Sequence, residues 1–317
     1  MLTVIVTGKT CEAEGICSFE LSAADGTELP PFEAGAHIDV HLADGLVRQY
    51  SLCNDPRERR RYLISVLKDP QSRGGSQAMH ELICTGQTLT ISLPRNLFAL
   101  EPTASRHLLF AGGIGITPML AMAYTLAQQD VPFELHYCFR SSERAAFLPL
   151  LVQVPFAGRV ILHDDSGAPS QKLDAAALLA SPDEGSHLYV CGPGGFMNHV
   201  IDTAQHAGWP ANQVHREFFA AAPIDHSADA AFEVELARSG QIFQIPADRS
   251  VFEVLEEAGI AIDSSCEQGI CGSCVTRVLS GIPEHRDQFL SAAEQAANDQ
   301  FTPCCSRART PRLVLDL

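Results

Sequence analysis

No basic leader opens this chain. MLTVIVTGKTCEAEG lacks both the Lys/Arg-rich start and the long apolar core of a secretion signal. Nor does any uninterrupted apolar run approach the roughly 20 residues that a helix needs to cross a bilayer. A soluble, cytoplasmic protein with no membrane partner is expected, and a monomer. Positive charge is scarce: 22 Lys and Arg stand against 38 Asp and Glu, for a net charge of -16. Nucleic-acid phosphates would be repelled, which argues against a nucleic-acid partner. The same charge suits docking on a basic protein surface, and equally an acidic enzyme with no such partner. Low-complexity runs and internal repeats are absent. The 12 histidines form no H-E-x-x-H, no C-x-H…C-x-x-H pair and no two-His, one-carboxylate set, so the chain carries no oxygen-activating centre of its own.

At 317 residues the chain is long for one domain and suggests two or three. Residues 1–102 read as a β-rich domain. His37 to Leu42, Tyr62 to Leu67 and Gln87 to Leu93 alternate apolar and polar side chains between Gly, Pro and Asp turns, the pattern of a small antiparallel barrel. One short helix is expected over Gln77 to Leu82, capped by Ser76. Residues 103–222 switch to strand–helix alternation: apolar strands at Leu108 to Ala111, Phe133 to Phe139, Arg159 to Leu162 and Leu188 to Cys191, with helices over Pro118 to Gln128 and Phe196 to His206. That is an open parallel sheet wrapped by helices. The stretch 220–231, AAAPIDHSADAA, reads as a linker, with the domain boundary at 222/223. Residues 232–317 open with strands Phe232 to Leu236 and Gln241 to Ile245, then an amphipathic helix from Ser250 to Ala258.

Eleven cysteines, an odd number, are present. Six (Cys11, Cys17, Cys53, Cys84, Cys138, Cys191) show no paired spacing and read as reduced thiols, mostly small core residues. The others cluster. Cys266, Cys271, Cys274 and Cys304 are spaced C-x4-C-x2-C-x29-C, and three close thiolates with a distant fourth match plant-type [2Fe–2S] ligation. A loop wrapped around a cluster must turn its N–H groups toward sulfur, and Gly269 and Gly272 permit the positive φ this requires. Structural zinc is the alternative, but it usually uses paired C-x2-C knuckles, and only Cys271 and Cys274 form one. Cys305, beside Cys304, is an alternative fourth ligand.

From Cys266 to the tail Leu313-Val314-Leu315-Asp316-Leu317, with Pro303-Cys304-Cys305-Ser306-Arg307 between, the sequence resembles the ferredoxin domain of the phthalate dioxygenase reductase family, and within it the vanillate O-demethylase reductase branch. The resemblance extends along the whole chain. It implies a flavin-binding β-barrel, a ferredoxin reductase-like nucleotide domain and a C-terminal β-grasp ferredoxin domain. Arg48-Gln49-Tyr50-Ser51-Leu52 matches the family's R-x-Y-S-x flavin motif: Arg48 can pair with a phosphate, Tyr50 can lie beside the isoalloxazine, and Ser51 can hydrogen-bond near N5. Gly74-Gly75-Ser76, at a helix start, offers backbone N–H groups to an anion. Members resembling this chain use FMN, FAD being the alternative. The loop Asp55 to Arg61, DPRERRR, reads as a solvated hairpin tip.

Gly112-Gly113-Ile114-Gly115-Ile116-Thr117-Pro118 resembles the family's G-G-x-G-x-T-P loop, where pyrophosphate lies over the turn and Thr117 approaches the nicotinamide. Pro118 suits the first helical position. Cys191-Gly192-Pro193-Gly194-Gly195-Phe196-Met197 matches the element that contacts the nicotinamide side. Arg140 and Ser141 follow the second strand, where the adenosine ribose usually binds. The resemblance favours NADH, while an Arg beside serines would also suit the 2′-phosphate of NADPH. Glu217-Phe218-Phe219 resembles the family's aromatic closing element, with Phe218 placed to cover the flavin.

These sites form one electron path. A nicotinamide gives electrons in pairs and a [2Fe–2S] cluster takes them singly, so a flavin must stand between them. The chain reads as a reductase passing electrons to a separate oxygenase, most simply a Rieske-type aromatic demethylase or dioxygenase, with Glu267 and Gln268 at the cluster rim as the partner contact. A reductase for a cytochrome P450 or diiron monooxygenase is the nearest alternative. A zinc-bearing nucleotide sensor without enzymatic activity is a remoter one.

Overall fold

The computed structural model describes residues 1–70, 74–219 and 224–317, in two compact units, Met1–Glu217 and Phe218–Leu317. The boundary expected at 222/223 and the first part of the expected linker lie outside the described residues. Among the described residues no helix is long and apolar enough to cross a membrane.

The first unit opens with seven strands: β1 (Leu2–Ala13), β2 (Ile16–Ala23), β3 (Ala36–His41), β4 (Val47–Ser51), β5 (Tyr62–Leu67), β6 (Thr88–Ile91) and β7 (Arg95–Asn96). They form one antiparallel sheet in the order β4-β3-β6-β1-β2-β5, with β7 on β3. An antiparallel bridge from Leu52 to Ile64 joins its two ends and closes the barrel, which leaves no long edge to pair with another chain. Alternate residues fill its interior: Val4, Phe19, Leu21, Ile38, Leu52 and Ile64 have no exposed surface. Helix α1 (Gly75–Leu82) starts earlier than expected. Gly74 is its N-cap at φ +88°, a conformation glycine adopts without strain. Ser76 is therefore not the cap. It sits in the first turn, where its hydroxyl accepts the Asp69 N–H at 3.1 Å and ties the helix to the incoming chain.

The same unit continues as β8 (Arg106–Gly112), α2 (Ile116–Gln128), β9 (Phe133–Phe139), α3 (Leu148–Leu151), β10 (Val160–Asp164), α4 (Ala175–Leu179), β11 (Ser186–Cys191), α5 (Gly194–His206) and β12 (Val214–Glu217). All five strands are parallel, in the order β10-β9-β8-β11-β12. The chain leaves β8 toward one edge and returns on its other side as β11, so the strand order switches between these two. Ligand crevices in open α/β sheets lie at the carboxyl ends of such strands. Because α2 begins at Ile116, Pro118 is the third helical residue, not the first; it still falls among the N–H groups that have no intrahelical acceptor, so the helix loses no bond.

In the second unit β13 (Phe232–Leu236), β14 (Ile242–Ile245), α6 (Val251–Glu257), β15 (Thr276–Ser280), β16 (Pro283–Glu284), α7 (Ala292–Ala297), β17 (Gln300–Phe301), β18 (Arg307–Ala308) and β19 (Arg312–Leu315) build a mixed sheet, β14-β13-β19-β15-β17, with β16 and β18 paired beside it. Parallel β13 and β19 at its centre, with α6 packed on the same core, give a β-grasp. Ser250 and Glu253 form a reciprocal capping box at the start of α6. Part of the segment read as linker is anchored: Asp229 has a buried side chain, Arg286 donates to its Oδ2 at 3.0 Å, and Arg307 lies 3.6 Å away.

Buried histidines mark the first unit. His187 Nδ1 lies 2.8 Å from His215 Nε2, and His136 Nδ1 lies 3.1 Å from His163 Nε2. Burial, reinforced by neighbouring positive or imidazole groups, lowers His37, His107, His136 and His215 from 6.5 to about 4. A histidine held neutral when folded but protonated when unfolded stabilises the fold above pH 6.5, and that contribution is lost as pH falls toward 4. Each such group steepens the loss by up to ~1.4 kcal/mol per pH unit. Urea unfolding of the first unit is therefore expected to shift to lower midpoints as pH falls from 6.5 to 4, and a midpoint independent of pH in that window would contradict it.

Candidate functional site

The cysteine loop between α6 and β15 gathers its thiols in two pairs. Cys274 Sγ lies 3.3 Å from Cys304 Sγ, and Cys266 contacts Cys271. Among the described residues no three His, Cys, Asp or Glu side chains converge on a point that could hold one ion. Two thiol pairs side by side suit a binuclear centre with two thiolates per metal better than a single zinc ion. The Gln268 N–H points at Cys266 Sγ at 3.3 Å and the Ser273 N–H at Cys271 Sγ at 3.4 Å. Those are N–H groups aimed at sulfur, as a cluster requires.

Two glycines make the loop possible. Gly269 and Gly272 lie at φ +71° and +70°, and each also has a neighbour where a Cβ would stand. At Gly269 that neighbour is the Cys305 sulfur, and at Gly272 it is the ring of Phe289. Cys305 is turned against the loop and lies 3.2 Å from Thr302 Oγ1, whereas Cys304 faces Cys274. Phe289 keeps 37% of its surface exposed although it covers the loop. Glu267 is exposed at φ +53°, and Gln268 is half-buried.

At the carboxyl ends of β8 and β11 the two glycine motifs interlock backbone to backbone. A Cβ on Gly115 would strike the Cys191 carbonyl and come within 2.8 Å of the Gly192 N. One on Gly192 would lie 2.8 Å from Gly112 Cα, and one on Gly112 would lie 2.7 Å from the Phe196 ring and 3.0 Å from Pro193. Gly113 adopts φ +53° and has open space beside it, as do Gly194 and Gly195 at the start of α5. N–H groups at two helix starts thus border one crevice, an arrangement suited to a pyrophosphate. Thr117 is buried and donates its hydroxyl to the Ile114 carbonyl at 3.0 Å, bracing the turn from within. Arg140 and Ser141 stand at the carboxyl end of the adjacent β9, Arg140 exposed.

On the barrel, Arg48 and Tyr50 project from one face of β4, Gln49 and Ser51 from the other. The Arg48 stem lies across Gly75, where a Cβ would collide with it, so this arginine and the Gly74-Gly75-Ser76 turn form one cationic, N–H-rich corner. Burial raises the Tyr50 phenol and keeps it protonated. Gln49 donates to Asp39 Oδ1 at 3.1 Å and approaches His37, which ties it to β3. The side chains of Leu52, Cys191 and Met197 have no exposed surface. Leu52 and Met197 position their neighbours by filling the cores.

Sequence reasoning passed over Glu217 as a site residue. It ends β12 in register with Cys191, and Ser51 Oγ donates to its Oε2 at 3.4 Å. Desolvation raises this carboxyl from 4.5 to about 8, so it carries a proton at neutral pH. The stability this shift contributes is complete below pH 4.5 and is lost as pH rises through about 8. Phe218, the next residue, begins the second compact unit. The missing signal was β12 itself, whose sequence Val214-His215-Arg216-Glu217 is neither an apolar run nor an apolar–polar alternation.

The loop glycines give a direct test. Gly272→Ala forces the Phe289 ring to move and strains φ, so iron and acid-labile sulfide per chain should fall sharply. Adding Phe289→Ala should restore part of the content. A single variant with full cluster content would show that the ring does not constrain the loop.

Comparison with known proteins agrees with this arrangement. Residues 234–309 match the family described as 2Fe-2S iron-sulfur cluster binding domain, and residues 89–214 match one described as dimethylamine monooxygenase subunit DmmA-like, N-terminal domain. The chain is 58% identical over 317 residues to the vanillate O-demethylase oxidoreductase of Pseudomonas sp. (strain HR199 / DSM 7063), covering 100% of both. Among solved structures it is similar to phthalate dioxygenase reductase, a modular structure for electron transfer from pyridine nucleotides to [2Fe-2S]. That match has a TM-score of 0.77 and 42% identity over 100% of this chain and 98% of that one. It is also similar to an intact type IV self-sufficient cytochrome P450 monooxygenase (TM-score 0.87, 38% identity, 100% of this chain and 41% of that one). A nucleotide crevice, a flavin-type barrel and a ferredoxin domain on one chain, with relatives of this identity along its full length, lead to one conclusion: the chain belongs to the phthalate dioxygenase reductase family of flavin and [2Fe-2S] electron-transfer oxidoreductases.

Proposed function

We propose that this chain is the NADH-dependent reductase of a Rieske-type aromatic O-demethylase or dioxygenase, with FMN in the first unit and a [2Fe–2S] cluster on Cys266, Cys271, Cys274 and Cys304. The observation that carries this reading is the 58% identity, end to end on both chains, with a vanillate O-demethylase oxidoreductase. When bound, a flavin exchanges electrons in pairs with a nicotinamide and singly with an iron–sulfur cluster. The chain's own groups bind, orient and hold protons. Arg48 and the N–H groups of Gly74, Gly75 and Ser76 hold the flavin phosphate, and Tyr50 lies beside the ring system. Ser51 Oγ and Glu217 Oε2 would hold a proton beside the bound flavin.

The loop from Gly112 to Pro118 receives the pyrophosphate, with Thr117 holding its shape, while Gly192, Pro193 and Phe196 form the nicotinamide side, backed from the core by the buried side chains of Cys191 and Met197. Arg140 and Ser141 take the adenosine ribose. Glu143, an exposed carboxylate in this same turn, supports NADH over NADPH. A carboxylate there suits a ribose hydroxyl and repels a 2′-phosphate. FMN over FAD rests on the family resemblance. The match to 41% of a self-sufficient cytochrome P450 monooxygenase favours a P450 acceptor as the second reading.

Glu217→Gln, always neutral and of similar shape, is expected to bind flavin normally and to flatten the pH profile of NADH-dependent flavin reduction, for which the raised Glu217 carboxyl predicts a break at about 8 in the unaltered protein. Stopped-flow absorbance across that range checks it; a break retained in the variant would assign it to another group. For the acceptor, the NADH-reduced protein is mixed anaerobically with a Rieske-type aromatic O-demethylase or with a P450. Reoxidation with substrate turnover by the Rieske-type partner is predicted, and turnover with the P450 alone would overturn the first reading.

A further inference from the structure

Cys11 and Cys17 are unused by the flavin, nucleotide and cluster sites. They are register partners on antiparallel β1 and β2, close to the turn at Glu14 and Gly15. Cys11 is exposed, with its Sγ 3.5 Å from the Ala13 carbonyl oxygen, while Cys17 is half-buried. Directly opposed residues of an antiparallel pair have Cα atoms about 4.5–5.5 Å apart, inside the roughly 4.4–6.8 Å that a disulfide spans. A β-bulge between Cys11 and Ala13 supplies slack beside the pair. The hairpin tip is not free: the Glu14 N–H donates to the Glu143 carbonyl at 2.7 Å, and Arg144 Nε donates to Glu14 Oε2 at 3.2 Å. Glu143 and Arg144 belong to the turn that follows Arg140 and Ser141.

We propose that Cys11 and Cys17 are a peroxide-oxidisable dithiol whose closure to a cross-strand disulfide displaces the turn bordering the adenosine end of the nucleotide site. The placement of that end rests on the function proposed above. Cys11, the exposed sulfur, attacks hydrogen peroxide as thiolate: an S–O bond forms, the O–O bond breaks, and the leaving hydroxide takes up the thiol proton as water. The Cys17 sulfur then displaces the sulfenic hydroxyl, forming the S–S bond and releasing a second water. Two thiols lose two electrons and one peroxide gains them. Burial first, and the adjacent Cys11 second, raise the Cys17 pKa, which leaves the exposed Cys11 as the sulfur that meets peroxide first. Opposed Cβ atoms lie about 4.5–5.5 Å apart, whereas a disulfide holds them near about 3.8 Å. Closure therefore draws the strands together by about 1 Å, and Glu14 carries the shift to Glu143 and Arg144.

The test uses the holoprotein, titrated with hydrogen peroxide, quenched with an alkylating agent and mapped by peptide mass, with NADH:ferricyanide kinetics in parallel. A Cys11–Cys17 linked peptide that dithiothreitol removes is expected, together with a several-fold rise in KM for NADH at unchanged kcat. Cys11→Ser and Cys17→Ser should start with the unaltered KM and show neither response. Cys11 oxidised alone with Cys17 still alkylatable, or a linked peptide with KM unmoved, would overturn the proposal. Failure of the nucleotide reading looks different, because the untreated protein would then show no reduction by NADH.

Discussion

Gly115 has no side chain because the carbonyl of Cys191 stands where one would be. On this contact between the ends of β8 and β11 the first unit's chemistry depends. Gly112 and Gly192 also pack against each other, a Cβ on Gly192 falling 2.8 Å from Gly112 Cα, so the Gly112–Pro118 loop and the Cys191 segment are shaped against one another, not separately. Their strands are neighbours only through the crossover, which makes this constraint long-range. It also sets the position of Glu217, one strand further along in register with Cys191, and thereby the hydroxyl–carboxyl pair it forms with Ser51. Any Cβ at 115 would have to separate the two strand ends.

The same rule recurs at the other candidate sites. Gly75 is small because the Arg48 stem crosses it, Gly269 because the Cys305 sulfur fills its Cβ position, and Gly272 because Phe289 does. In each case the glycine answers two demands, a local turn and a side chain arriving from elsewhere. Loops that must present N–H groups to phosphate or sulfur cannot also be held by bulky side chains of their own. They are held from outside instead, which keeps donors fixed without covering them.

Much of this was legible in the sequence. Cysteine spacing alone pointed to a binuclear cluster, since one loop with three thiolates and a distant fourth has few other uses. Period-two runs located β3, β5 and β6, and apolar runs located β8, β9 and β11. What escaped depends on packing across sequence distance. β12 carries polar residues because the histidine pairs and the Ser51 contact accept them, so its four residues gave no strand signal. Ser76 looked like a cap by composition, yet Gly74 took that position because its φ is positive. Cys305 stands in the sequence as an alternative to Cys304, and only packing shows its sulfur against Gly269 and Thr302.

The central claim is that one chain carries electrons from NADH through flavin to the cluster. Anaerobic titration of the holoprotein with NADH, followed by visible absorption and electron paramagnetic resonance, tests it most directly. The account predicts that flavin bleaching is accompanied by the signal of a reduced [2Fe–2S] cluster, and that Cys304→Ser abolishes the signal while leaving flavin reduction intact. Flavin reduced to completion with the cluster still oxidised would contradict it.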